Sequence, residues 1–326
     1  MRYLFILIMI GIGFFIYPYI EQILGPQDSR ITAVKNLQEK QEKNNQNFSR
    51  ITTQIKREIN NNRPKKVNTN RSEIERDRQK PYPQTKEFTD DFSESYILEE
   101  APSMEKSSSN NWWLNSGAYF ISQDGTARTL FGKLPEGEKW QIKFKNYNPD
   151  STLNGFQPQN IFRLITKSKW KNFEEQIDFK IHTYNAIDAK HRNQSNGVLL
   201  FLRYIDSDNL YYAGIRVDGA AVIKKKLQGK YTTLGYKKIF NGSYDLDKNP
   251  NLIPLGIWHS IKANIQNIDT NKVNIVLYVK EGHIWDKVLD IIDDQNPILQ
   301  EGYAGIRTDF ADVEFDNYKI KEIYDR

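Results

Sequence analysis

From Trp112 to the C-terminus, the chain is written in short runs of β-branched and aromatic residues broken by Gly, Asn, Asp and Pro. Alternation within the runs predicts strands in 117–122, 138–145, 161–167, 173–185, 197–206, 209–218, 220–227, 231–240, 257–267, 272–280, 285–292, 301–310 and 313–322. Asp124-Gly125, Ser207-Asp208-Asn209, Asp218-Gly219 and Gln228-Gly229 supply turns between them. No long segment of helical period competes. Successive short strands without helices predict an all-β fold, an antiparallel sandwich or barrel occupying 111–326 as one domain.

Two of these strands carry nearly the same heptapeptide, YAGIRVD at 212–218 and YAGIRTD at 303–309. Alternation puts Ala213, Ile215 and Val217 on one face and Tyr212, Gly214, Arg216 and Asp218 on the other. In the second copy Ala304, Ile306 and Thr308 match the inner set, opposite Tyr303, Gly305, Arg307 and Asp309. Each outer face is either a binding surface or an Arg–Asp pairing that neutralises charge.

The preceding sequence is of a different kind. Tyr3 to Ile20 is an uncharged, mostly apolar run of 18 residues between Arg2 and Glu21, near the length a helix needs to cross hydrocarbon. It reads as a signal anchor within 1–25, because no small-x-small site follows; a cleaved signal peptide is the rival. The expectation is a domain outside the cytoplasm, held at a membrane by the N-terminal helix, or secreted if the run is cleaved. Residues 26–110 read as a polar stalk, too poor in apolar residues to order fully. Phe48, Ile51, Ile55 and Ile59 recur at helical spacing there, and 60–111 reads as a disordered tether.

The net charge of +5 is a small difference between 46 basic and 41 acidic residues, which argues against nucleic acid as partner. With no cysteine, disulfides and thiolate chemistry are excluded.

Three stretches resemble a known family: GVLLFLRYIDSDNLYYAGIRVDGAAVIKKKLQGKYTTL (197–234), IPLGIWHSIKANI (253–265) and EGYAGIRTDFADVEFDNYKIKEI (301–323). They are similar to the central hairpins, the Trp-bearing strand and the closing strand pair of the concanavalin-A-like, laminin-G-like jelly roll. The resemblance covers roughly 112–326. It implies a jelly-roll β-sandwich and a polysaccharide or glycan partner, and leaves open whether the domain binds, cleaves or eliminates. The 3-keto-disaccharide hydrolases and polysaccharide lyases are among the superfamily's members. Some laminin-G-like domains bind proteins instead.

If both heptapeptides line one sheet face, Tyr212, Arg216, Tyr303 and Arg307 converge on a groove, with Gly214 and Gly305 leaving room for a ligand. Arg163, Gln176, Lys180 and Arg203 complete the candidate glycan contacts. A hydrolase of the family would need paired carboxylates. Glu314 with Asp316 and Glu175 with Asp178 come nearest, without completing its pattern. A lyase would need a Tyr or His base beside cations that neutralise a uronate carboxylate. Its candidates are His182 and Tyr184 on QIDFKIHTY (176–184), and Tyr212. The other histidines lack metal-ligand spacing. Asp245, Asp247 and Asn249 alternate as in a calcium loop, without the glycine and terminal glutamate of an EF-hand. They are candidate ligands of a structural calcium or the members of an Asx turn. In IKKKLQGK, Lys224 and Lys226 share one face and Lys225 takes the other.

Overall fold

The computed structural model describes residues 86–323. The strands are β1 (Glu87–Asp90), β2 (Tyr96–Glu99), β3 (Trp112–Ser116), β4 (Tyr119–Gln123), β5 (Thr126–Thr129) and β6 (Ile161–Trp170). There follow β7 (Phe173–Tyr184), β8 (Gly197–Asp206), β9 (Asn209–Arg216), β10 (Ala220–Leu227) and β11 (Lys230–Lys238). The chain closes with β12 (Trp258–Asp269), β13 (Lys272–Glu281), β14 (Ile284–Asp293), β15 (Gly302–Asp309) and β16 (Ala311–Glu322). Among the described residues one α-helix, α1 (Lys139–Tyr147), and two short 3-10 turns interrupt them.

All pairings are antiparallel and fall into two sheets. One is nine-stranded, in the order β14-β13-β12-β7-β16-β5-β4-β2 with β1 also on β16; the other is seven-stranded, β11-β10-β9-β8-β15-β6-β3. The alternation of the sequence is what fills the space between them. Phe173, Ile177, Phe179 and Ile181 of β7 meet Val198, Leu200 and Leu202 of β8 and Ala304 and Ile306 of β15 in one buried core. Each large side chain so buried contributes roughly 1.5–3 kcal/mol. The expected all-β sandwich is the observed architecture.

Three expectations need correction. The strand expected at 138–145 is α1. Trp140 and Phe144 fit a two-residue and a four-residue repeat equally well, but Ile142, which a strand would bury with them, is 48% exposed. Glu138 caps the helix, its carboxylate accepting the N–H of Trp140 at 2.6 Å and of Gln141 at 3.2 Å. The strand expected at 117–122 contains a reversal at Gly117 and Ala118, whose φ values are 119° and 66°.

The third concerns the stalk. Residues 87–99, placed by composition in the polar stalk, belong to the sandwich: β1 pairs with β16 and β2 with β4. Phe92 and Leu98 are buried in the common core. Their charged neighbours face solvent, as in the 2.7 Å Glu87–Lys319 pair, and it is these that made the stretch look unfoldable. The anchor at 1–25 and the stalk up to residue 85 lie outside the described residues. Among the described residues no helix is long and apolar enough to cross a membrane.

Candidate functional site

On the outer face of the seven-stranded sheet, β6, β15, β8, β9 and β10 lie side by side and their registers define rows. Arg163 stands opposite Arg307, Arg307 opposite Leu199, Leu199 opposite Gly214 and Gly214 opposite Val222. In the next row Ile165, Gly305, Phe201, Tyr212 and Lys224 follow one another across the same strands. A groove of about 470 Å³ opens over these rows. Arg163, Leu199, Tyr212, Lys224, Tyr231 and Arg307 line it, together with Asn148, Ser151, His191, Asn193 and Asn196.

The two heptapeptides therefore sit in the same sheet, on either side of β8. They are staggered by two residues, so that Tyr212 is level with Gly305 and Gly214 with Arg307. The stagger lets the Arg307 guanidinium reach within 5.2 Å of the centre of the Tyr212 ring. Beyond Tyr212, the Tyr231 ring of β11 stacks on it at 6.2 Å and 24°. Lys224 and Lys226 approach Tyr231 to 5.2 and 5.1 Å.

The glycines have a different cause from the one expected. A methyl group at Gly214 would lie 2.3 Å from the Val198 carbonyl oxygen, and one at Gly305 2.1 Å from that of Leu164. Each strand presses on its neighbour toward β3, and only a bare Cα fits. The repeated glycine serves strand packing rather than ligand access.

The electrostatics are cationic. Asp309 is the single carboxylate among the described lining residues, and Arg307 holds it with Nε at 3.0 Å from both oxygens and Nη2 at 2.9 Å from Oδ1. Burial works against the Arg307 charge, but Asp309, Tyr212 and Tyr231 outweigh it and keep the guanidinium raised above its ordinary value. Burial pushes the Tyr212 phenol up to about 12, with Arg307 opposing. Tyr231 goes the other way. Burial disfavours its phenolate, yet Arg307 and Lys226 prevail and hold the phenol below its ordinary value.

Of the sequence-derived glycan contacts, Arg163, Tyr212 and Arg307 line the groove. Arg216 lies beside it, held by Asp218 at 2.7 Å and the Gln194 carbonyl at 3.0 Å. Tyr303 shares the face but sits along β15 away from the groove, packed against the buried cluster that contains Phe201 and Tyr204, with the Lys169 ammonium 5.6 Å from its ring. Arg203 is a correction: it points inward, fully buried, donating to the carbonyls of Lys171 and Ile298 and to Asn267 and Asn172. A left-handed backbone at Arg203, φ 51°, within the irregular pairing between Leu202 and Asp206, turns it off the alternation. Gln176 and Lys180 are the second correction, because β7 belongs to the other sheet. Lys180 pairs there with Glu314 at 2.6 Å.

The three candidate catalytic residues are not brought together. His182 is on the outer face of the nine-stranded sheet, 2.7 Å from Glu314. Tyr184 packs against the core with its hydroxyl buried, which raises its phenol. Only Tyr212 lines the groove. Glu314 and Asp316 share β16 with no part in the groove. At the calcium candidates, Asp245 Oδ1 accepts the N–H of Asp247 at 3.0 Å and of Lys248 at 2.8 Å, and Asn249 donates to the Ser243 carbonyl. That is an Asx turn.

Lys224 and Tyr231 complete the groove without having been singled out as contacts. The signal for them was present: the Gln228-Gly229 turn makes 220–227 and 231–240 a hairpin, and on the other side of β10 Lys224 pairs with Tyr212 of β9 and shares its face.

No protein-family model matches the chain, and no curated protein matches it. Among solved structures, the chain is similar to the carbohydrate-binding module CBM66 from Bacillus subtilis (16% identity, 49% of this chain, 81% of that one, TM-score 0.34). It is similar to the Bacillus licheniformis β-glucanase (10%, 73% and 98%, TM-score 0.39). It is also similar to the GH43 protein BlXynB from Bacillus licheniformis (13%, TM-score 0.39), with 72% of this chain spanning 39% of that one. The two-sheet sandwich stands on its own strand pairing, independently of these likenesses.

Proposed function

We propose that the sandwich binds a polysaccharide along the outer face of its seven-stranded sheet. The observation that carries the reading is the stacked Tyr212–Tyr231 pair in a groove whose lining includes the amides of Asn148, Asn193 and Asn196. Tyr231 is 53% exposed, so an aromatic face is presented to the groove. Sugar rings stack on such faces through their C–H edges while amides and guanidinium groups take the hydroxyls. The N-terminal apolar run at 3–20 supports placing the domain outside the cytoplasm at a membrane, as a tethered receptor for the glycan.

Binding is favoured over hydrolysis for a stated reason. Glycosidases of the common type need two carboxylates about 5–9.5 Å apart across the scissile bond. Asp309 is the sole carboxylate among the described lining residues, and Arg307 occupies both its oxygens.

The test is retention of the full chain on a panel of immobilised polysaccharides, with Tyr231→Ala beside it. Binding by the parent chain and loss in the variant support the reading. Equal retention of both chains would move the site away from the groove.

A further inference from the structure

Among the described residues, only one of the groove's three cations, Arg307, has an anion of the groove as its ion-pair partner. Arg163 and Arg307 stand directly opposite each other on adjacent strands, an arrangement of like charges that destabilises a sheet unless something neutralises it. Asp309 serves Arg307 alone. Arg163 and Lys224 face the groove with no carboxylate partner among the described residues.

Several half-buried or buried cations elsewhere are held by carboxylates. Lys180 has Glu314, Lys226 has Asp208, Lys225 has Asp293 and Lys262 has Glu174. What sets the groove apart is convergence: Arg163, Lys224 and Arg307 line one cavity whose described lining holds the single carboxylate Asp309. Lys224 feels it: burial first, then the charges of Arg216 and Arg307, hold its ammonium below the ordinary value, with Tyr231 and the more distant Asp218 opposing them. A cluster of partly desolvated cations is relieved by an anion placed among them.

We propose that the groove takes an anionic polysaccharide, its carboxylate or sulfate groups seated between Arg163, Lys224 and Arg307. This rests on the glycan reading above. Tyr231 would carry the sugar ring, and Arg163 would take anionic oxygens in its donor fork. Arg307, held by Asp309 and engaged with the Tyr212 and Tyr231 hydroxyls, contributes chiefly its charge. Arg163 offers its whole fork.

The test uses matched polymers and affinity electrophoresis of the full chain. Polygalacturonate is set against the same polymer fully methyl-esterified, and dextran sulfate against dextran. Retardation by a charged polymer and not by its neutral counterpart, weakening with added salt, is the expected result. Which charged polymer acts distinguishes carboxylate from sulfate. Arg163→Gln and Lys224→Gln should each weaken binding about tenfold or more, since each removes a charge-assisted hydrogen bond, while their thermal unfolding stays near that of the parent chain. Equal retardation by charged and neutral polymers overturns the proposal and leaves the glycan reading standing. Retardation by the charged polymers that both variants keep unchanged overturns it too, because the charge at work then lies outside the groove. No retardation by any polymer sinks both readings.

Discussion

The backbone N–H of Gly305 donates to Glu175 Oε1 at 3.0 Å, across the space between the two sheets. The register between Tyr303 and Gly305 is broken by a bulge, which frees that N–H from the ladder. Tyr318 donates to the same oxygen at 2.8 Å. Two residues beyond Gly305 is Arg307, so a core carboxyl fixes the segment that presents the groove's central cation.

Glu175 is fully buried, and burial raises its carboxyl well above the ordinary range against the pull of the Tyr318 and Gly305 hydrogen bonds. The folded chain therefore binds a proton that the unfolded chain has released. The stabilisation is complete below the ordinary carboxyl pKa and is lost as pH rises toward the folded value. Glu175→Gln cannot titrate, so its unfolding temperature should fall less between pH 5 and 8 than that of the parent chain. Parallel curves would show that Glu175 does not carry the proton.

Gly214→Ala should destabilise the fold by roughly 1–3 kcal/mol, because the new methyl meets the Val198 carbonyl oxygen at 2.3 Å and the backbone must shift. Gly125→Ala is the control, with no atom within 4 Å of the added methyl and only its φ of 80° to oppose it. Urea unfolding of the two variants should rank Gly214→Ala as the more damaged. The reverse order would mean that strand crowding is not why the heptapeptide repeats its glycine.

The sandwich and most strand positions were legible because alternation is imposed by burial on one face, and burial is what holds these strands. Legibility failed where a segment was too short to alternate. β1 and β2 have four residues each, and their charged outward positions outweigh Phe88 and Leu98 in any composition window. It failed at α1, where Trp140 and Phe144 fit both periods. Within the groove, the heptapeptides announced Tyr212 and Arg307, but alternation does not say which strands share a sheet. Lys180 and Arg307 looked equivalent in sequence and stand on different sheets. Arg203 was lost to a single left-handed residue.

Lys225 and Asp293 form a buried pair at 2.8 Å that bridges β10 and β14, and Tyr211 donates to Asp293 at 2.6 Å. Asp293→Ala strands an ammonium in the core and should cost about 3–5 kcal/mol. Replacing both partners, Lys225→Met with Asp293→Leu, removes the stranded charge and should cost less than that single change. Denaturant unfolding of the three chains measures this directly; a double variant weaker than Asp293→Ala would contradict it.

Tyr231 should be among the first phenols to ionise on alkaline titration, and Tyr212, raised to about 12, among the last. Tyr231→Phe should remove an early step from the ultraviolet titration curve. Ionisation also puts a negative charge beside Arg307. Binding of an acidic polysaccharide should therefore weaken as the pH rises toward 10, ahead of any change in the arginines.

Tyr303 and Tyr212 open the two copies of the heptapeptide, yet the groove forms around Tyr212 and Tyr231, and Tyr303 packs outside it, against the cluster that contains Phe201 and Tyr204. Tyr303→Ala should leave retention on polysaccharide within about twofold of the parent chain and lower the unfolding temperature, because its loss is one of packing. Glu314→Gln, on the opposite sheet beside His182 and Lys180, should likewise leave retention unchanged. Tyr231→Ala should do the reverse, sparing stability, since the ring is half exposed, while weakening retention about tenfold or more, as loss of a stacking platform does. If Tyr303→Ala or Glu314→Gln weakens retention as much as Tyr231→Ala, the ligand runs beyond the groove or lies on the other face. Repetition of the heptapeptide would then have marked the site after all, rather than the packing of two strands against their neighbours.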